Sequence, residues 1–508
     1  MPRTPLFAAL RRALWLATPR GPQDPPLDER ADPAFPHPTR RGVLRGAAAA
    51  AALTTLPLPL RQALAQSAAR IVVVGAGLAG LVAAYRLVQG GARNVRVYEA
   101  ANRLGGRVFS AADAVAPGHV AELGGSFINS THQDVLALCR AFRLPLEDAE
   151  AGEAATLRTA YFIEGQHRSF TEIAEAARDL SARIARIRRL PAPERRAFDL
   201  HPAAALLDAW GVSGWLRTLL DIGLTQEMGL EPDRISGLYL TETFAVDAAR
   251  PGDGLFGSDQ RYQIAGGNDR LVAAIAARLG ERVVRGHRLE AIAPRGRGFV
   301  LSFASAGAAV EVEADILVLA LPPTTLREVD LRVELPEKTR RAIREIPFGS
   351  NAKLFAGVSR RPWRAQGFSG EVITDLGFQT CWEDHARPGG GPGGLTIFAG
   401  GQAGVDFARG EAAARVRAVL GQLETAFPEA SAVGTGTAAR MDWPGNALAK
   451  GSYSCFAPGQ FTAFAGAFAP QGRLVFAGEH LSEEHSGYMN GAAETGRLAA
   501  RAVARLLR

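Results

Sequence analysis

Residues 70–107 read RIVVVGAGLAGLVAAYRLVQGGARNVRVYEAANRLGGR. The β-branched run Ile71–Val74 predicts a buried strand. Gly75-x-Gly77-x-x-Gly80 follows at once, and Leu81–Val88 then predicts a helix. Val95–Tyr98 predicts a second strand ending in Glu99, nineteen residues beyond Gly80. Gly75 permits the tight turn, Gly77 lets a pyrophosphate approach the backbone, and Gly80 lets helix pack on strand. The helix N-terminus favours phosphate, and the carboxylate is placed for ribose hydroxyls. Strand, turn, helix, strand and acid in that order predict a dinucleotide site; a glycine-rich turn alone would not.

The turn does not choose between nucleotides, but its continuation is more specific. Arg103-Leu104-Gly105-Gly106-Arg107 comes next, and Glu122-Leu123-Gly124-Gly125-Ser126 follows, read as the opening of another helix-like segment. Two diglycines let backbone pass close to a large planar ligand. Near the other end, residues 472–497 read GRLVFAGEHLSEEHSGYMNGAAETGR, a strand from Leu474, a turn at Gly478-Glu479 and a helix from Asn490. Glu479, His480, Glu483, Glu484 and His485 cluster there, but the histidines are five apart and no HExxH occurs, so no metal is expected.

With these blocks in place, residues 70–500 resemble the flavin-containing amine oxidases: monoamine, polyamine and L-amino-acid oxidases. The resemblance implies an α/β fold, with a Rossmann-like (glutathione-reductase-like) FAD-binding domain and an inserted α+β substrate domain. It implies that Gly478 and Glu479 touch the flavin phosphates and ribityl chain. It also implies that Gly487, Tyr488 and Met489 lie along the isoalloxazine, with Tyr488 as one wall of an aromatic cage. KGSYSCFAPGQ, residues 450–460, corresponds to a segment in which monoamine oxidases carry a flavin-bonded cysteine and then the second cage tyrosine. Here Ser452 and Tyr453 hold those places, so FAD is expected to be non-covalent and Cys455 to point elsewhere. Val284 corresponds to a residue that meets the adenine through its backbone.

One further residue stands out by composition. Of 58 basic residues only Lys338, Lys353 and Lys450 are lysines. Lys353 sits in GSNAKLFAGV, an apolar, strand-like run where an ammonium is costly to bury. The resembling family carries a strand lysine upstream of a tryptophan, here Trp363, that holds a water at the flavin. A compact ammonium can orient one water where a planar guanidinium would fill the space.

Five hundred and eight residues predict more than one domain. The FAD-binding domain is expected over 68–150, 255–330 and 445–508, and the substrate domain over 151–254 and 331–444. Residues 1–67 read as an N-terminal extension and a twin-arginine export signal. Arg40-Arg41 precede the apolar stretch Gly46–Leu60, and a small-x-small site follows at Ala63-Leu64-Ala65. That stretch is too short and too interrupted by proline for a stable membrane anchor. A periplasmic or secreted location is therefore expected. The formal charge of +7 is concentrated in this leader, where nine arginines face four acids, so no nucleic-acid partner is expected. Three scattered cysteines exclude a disulfide framework.

The function expected is FAD-dependent oxidation of a primary or secondary amine to an imine, which hydrolyses to a carbonyl compound. The expected partners are a small-molecule amine and dioxygen or a redox protein as electron acceptor, with a homodimer left open. An L-amino-acid oxidase would need an arginine clamping the carboxylate. A lipid or porphyrin desaturase, or an electron-relay flavoprotein, would not call for Lys353 with paired tyrosines.

Overall fold

The computed structural model describes residues 57–148, 157–243, 260–384 and 391–508. Ile71–Val74 forms the centre of a five-stranded parallel sheet, with all four side chains buried. Its neighbours are Ile316–Leu319 on one side and Val95–Tyr98 on the other. Leu474–Phe476 and Val283–Val284 complete the sheet at its edges. Sequence-distant strands are thus side by side, as a doubly wound sheet requires. Two helices cover one face: Leu78–Gln89, directly after the glycine turn, and the long C-terminal helix Met489–Leu506. The fold expected from the sequence is the one observed.

The rest of the chain is inserted into the connections of that sheet. Arg288–Arg295, Gly298–Ser305 and Ala308–Ala314 make an antiparallel meander, extended by Asp330–Leu331. A seven-stranded sheet holds Ala352–Val358 near one edge, paired with Gly393–Ala399 and Gly434–Asp442. All seven residues of Ala352–Val358 are buried, which explains the unbroken apolar pattern around Lys353. A helical layer from Phe170 to Met228 packs on its own apolar core.

Two local expectations are corrected. The first helix starts at Leu78 rather than Leu81, because its N-terminal turn begins directly at Gly77. Gly124-Gly125 does not open a helix: the strand Val120–Glu122 runs into irregular chain, and the next helix is Gln133–Phe142. A Cβ at Gly124 would lie 2.0 Å from the Arg107 carbonyl oxygen, so close packing of two chain segments sets this backbone. The small-x-small site Ala63-Leu64-Ala65 lies in a helix, Leu58–Gln66, whose Leu60 and Leu64 are buried in the same core as the parallel sheet's helices. Arg40, Arg41 and residues 46–56 of the apolar stretch lie outside the described residues. Among the described residues, no helix is long and apolar enough to cross a membrane.

Candidate functional site

A cavity of about 770 Å³ runs from the glycine turn to the seven-stranded sheet. At the turn, Gly75 adopts φ +100°, and a Cβ there would lie 2.7 Å from the Ala320 carbonyl oxygen. Gly77 is different: a Cβ would meet nothing within 4 Å, so bare backbone faces open space at a helix N-terminus. Gly106 closes the far side, 3.3 Å from the Gly77 Cα by the same measure. This cradle fits a pyrophosphate. Gly80 does not line the cavity; it faces the Gly75 carbonyl oxygen, which a Cβ would approach to 1.9 Å.

Glu99 ends the second strand and lines the cavity, its carboxylate braced by N–H donors of Ala76 at 2.7 Å and Ala101 at 2.9 Å. The arrangement leaves a carboxylate facing the place where a ribose would lie. Val284 does not line the cavity; its carbonyl accepts from the Glu99 N–H at 2.9 Å, and His287, three residues on, lines the wall. Arg103 lines the cavity, yet its guanidinium donates to the carbonyls of Leu104, Gly106 and Val108. It knits the loop on which Gly105 and Gly106 sit.

At the opposite end Lys353 is buried. Its Nζ donates to the carbonyls of Glu122 at 2.9 Å and Gly124 at 2.7 Å, and to Ser126 Oγ at 2.6 Å. The rings of Trp382 and Phe398 each lie 5.9 Å from Nζ. Burial pushes its pKa down to about 8, opposed by the charges of Glu122 and Asp384. Burial also pushes both of those carboxyls up, each to about 7. Burial thus weakens the hold on the proton of an ammonium set among carbonyl acceptors and beside two aromatic rings.

Tyr453 and Tyr488 both line the cavity, as do Gly125, Gly487 and Met489. Tyr453 donates from its hydroxyl to the Gln226 carbonyl at 3.3 Å, and the Tyr488 ring meets the His132 ring edge-on at 4.9 Å. Ser452 Oγ donates to Asn351 Oδ1 at 2.6 Å, and Asn351 donates on to the Gln226 carbonyl. Cys455 is buried in the helical-layer core and does not line the cavity. Glu479 and Gly478 line it, with Glu479 paired to Arg107 at 2.8 Å. Trp363 is buried away from the cavity, its indole N–H bonded to Glu383 at 2.6 Å.

Among the lining residues that the sequence reading missed are Phe127, Asn351, Trp382, Phe398 and Trp443. Asn351 lies two residues before Lys353, within the quoted run. Trp382 and Phe398 reach the site only through strand register, Phe398 standing directly opposite Lys353.

The comparisons with known proteins agree with this geometry. A family model described as flavin containing amine oxidoreductase matches residues 78–504. AofH of Mycobacterium tuberculosis (strain H37Rv), a protein assigned by its name to the flavin-containing monoamine oxidases, is 29% identical over 460 residues. That alignment covers 86% of this chain and 97% of AofH. An L-amino acid dehydrogenase of Synechocystis is 24% identical, covering 89% of this chain and 98% of the relative. The solved cyclohexylamine oxidase from Brevibacterium oxydans IH-35A superposes with a TM-score of 0.74 at 25% identity, over 86% of this chain and 99% of that one. A glycine cradle, a braced acid and a buried lysine within one cavity, under a family model that spans most of the sequence, place the chain among the flavin-containing amine oxidoreductases, FAD-dependent enzymes to which it belongs.

Proposed function

We propose that this enzyme oxidises a small primary or secondary amine whose remainder is apolar or aromatic. The observation that carries this is the charge inventory of the cavity. Three arginines line it, and each is engaged: Arg103 by loop carbonyls, Arg107 by Glu479, and Arg288 by Glu290 at 2.7 Å. Three glutamates line it too: Glu99 is braced by backbone N–H groups, Glu328 pairs with Lys450 and Glu479 with Arg107. Among the described residues the cavity therefore offers neither an uncommitted arginine for a substrate carboxylate nor a row of carboxylates for a polyamine. Trp382 and Phe398 stand beside Lys353, and Phe127, Tyr453 and Tyr488 line the same cavity.

The residues have distinct parts in this reading. Gly75, Gly77 and Glu99 would hold the nucleotide half of FAD, and Gly124–Ser126 and Gly487–Met489 would lie against the remainder. Ser452 has a hydroxyl where a thioether would need sulfur, so the flavin is held without a covalent bond. Bound FAD supplies the acceptor for the electrons leaving the amine's α carbon. The aromatic walls exclude water and favour the neutral amine, since an ammonium there loses its hydration. Lys353 presents a proton-bearing Nζ held by three oxygen acceptors. Dioxygen or a redox protein would be the final electron acceptor.

The expected result of an anaerobic panel at equal concentrations is that phenethylamine reduces the flavin faster than spermidine or L-phenylalanine. Much faster reduction by L-phenylalanine would establish the amino-acid reading that the Synechocystis relative's name carries. Much faster reduction by spermidine would establish a polyamine site.

Export by the twin-arginine route to the periplasm or beyond is the reading that Arg40-Arg41 support. Changing both to lysine is expected to leave an FAD-loaded cytoplasmic precursor, and undiminished export would overturn it. Processing after Ala65 requires the Leu58–Gln66 helix to leave the core in which Leu64 is buried.

A further inference from the structure

We propose that the Glu479–Arg107 ion pair is a positioning device that sets the two cavity tyrosines relative to each other, rather than a cofactor contact alone. This rests on the amine-oxidising reading above. Glu479 follows Gly478 in a short 3₁₀ turn, and its side chain is 7% exposed. Its Oε1 accepts from Arg107 Nη1 at 2.8 Å and from the Ser454 N–H at 3.2 Å. Its Oε2 accepts from the Gly487 N–H at 2.5 Å and the Ser454 hydroxyl at 3.2 Å, with the Ser486 hydroxyl at 3.5 Å. Arg107 Nη1 also donates to the Ser452 carbonyl at 2.9 Å.

The consequence is specific. The Ser452 carbonyl and the Ser454 N–H belong to the peptide groups on either side of Tyr453. Gly487 immediately precedes Tyr488. One ion pair, its carboxylate buried, therefore grips both peptides of one tyrosine and the approach to the other, across 35 positions of sequence. The Ser454 and Ser486 hydroxyls, 3.0 Å apart, join the same two segments directly. Hydrogen bonds to a charged acceptor are stronger and shorter than neutral ones, which suits a fixed ring geometry.

Each segment also has its own anchor. Ser452 N–H and Tyr453 carbonyl pair with Gly349 at 2.9 Å each, and Tyr488 N–H bonds the His485 carbonyl at 3.1 Å. Loss of the Glu479 charge thus leaves both segments attached to the fold and loosens their mutual placement. A misplaced reacting group loses rate steeply, because the bound geometry supplies much of the barrier reduction.

The test uses the FAD-loaded enzyme and Glu479→Gln, alone and with Tyr453→Leu plus Tyr488→Leu. FAD affinity, melting temperature and the limiting rate of anaerobic reduction by phenethylamine are measured. In the native background, at saturating FAD, Glu479→Gln is expected to lower the rate per bound flavin by about tenfold, beyond any loss of FAD affinity. In the leucine background the same change is expected to cost less than about twofold, since the walls it places are gone. Additive effects would overturn the proposal, as would a loss of FAD affinity with an unaltered rate per bound flavin. If Glu479→Gln does not fold, Arg107→Met supplies the same cycle, because it removes the single Nη1 that donates to both Glu479 and the Ser452 carbonyl. Failure of the native enzyme to be reduced by any amine would instead remove the reading on which the inference stands.

Discussion

Replacing Lys353 with methionine should slow flavin reduction or reoxidation by about a hundredfold or more, the scale of losing a positioned proton-handling group. Methionine keeps the length and apolar stem, and removes the charge and all three N–H donors. The surrounding strand is buried on both faces, so the fold has no need of an ammonium there. The two effects on stability oppose each other. Removing a desolvated charge is favourable, whereas leaving the Glu122 and Gly124 carbonyls without their donor is not. A melting temperature near that of the native enzyme and full FAD content are therefore expected. The pH dependence carries a second signature. The native Lys353 is pushed down to about 8 by burial, so its charge is present below that pH and lost above it. An ionisation near 8 in the native rate constant should be absent from the variant. Unchanged rates in both half-reactions would reduce Lys353 to a tolerated core lysine.

The second large effect is expected at the glycine turn, where two neighbouring glycines should fail in different ways. At Gly80 an added Cβ would stand 1.9 Å from the Gly75 carbonyl oxygen and 3.0 Å from the Ala320 Cβ, both parts of the central sheet's framework. The helix must move away from the strand, at a cost of about 1–3 kcal/mol for overpacking. Gly80→Ala should therefore lower the melting temperature of the apoprotein and also weaken FAD, as the displaced helix carries its N-terminus off the phosphates. At Gly77 the Cβ meets no protein atom, and φ is −68°, which alanine adopts without strain. Gly77→Ala should leave apoprotein stability alone and weaken FAD only. Differential scanning of both apoproteins, with FAD titration, separates the cases. Equal stability losses would mean that the two glycines are not divided between packing and ligand approach.

These contrasts show where sequence is readable. The turn was legible because its constraints are local: three glycines, a strand, a helix and Glu99 all lie within residues 71–99. Lys353 was legible because it breaks a pattern, an ammonium in an apolar strand of an arginine-rich chain. Its partners were not, because Glu122, Gly124 and Ser126 lie more than 220 positions away. Trp382 and Phe398 were hidden for the same reason, since their place depends on the pairing of strands that no spacing rule connects. Arg103 shows a different limit. Its position beside the diglycine marks it for the ligand, but where a guanidinium finds its acceptors depends on the folded loop, and here they are backbone carbonyls. The Gly124-Gly125 segment was read as helical because glycine permits many backbones, and only the close approach of Arg107 selects the irregular one.

The most direct measurement is anaerobic mixing of the FAD-loaded enzyme with phenethylamine, following flavin absorbance and recovering the product. Bleaching of the oxidised flavin with formation of phenylacetaldehyde is the expected result, followed by recovery of the colour when dioxygen is admitted. Flavin that stays oxidised with every primary or secondary amine tried, yet is fully reduced by dithionite, would contradict amine oxidation at this cavity.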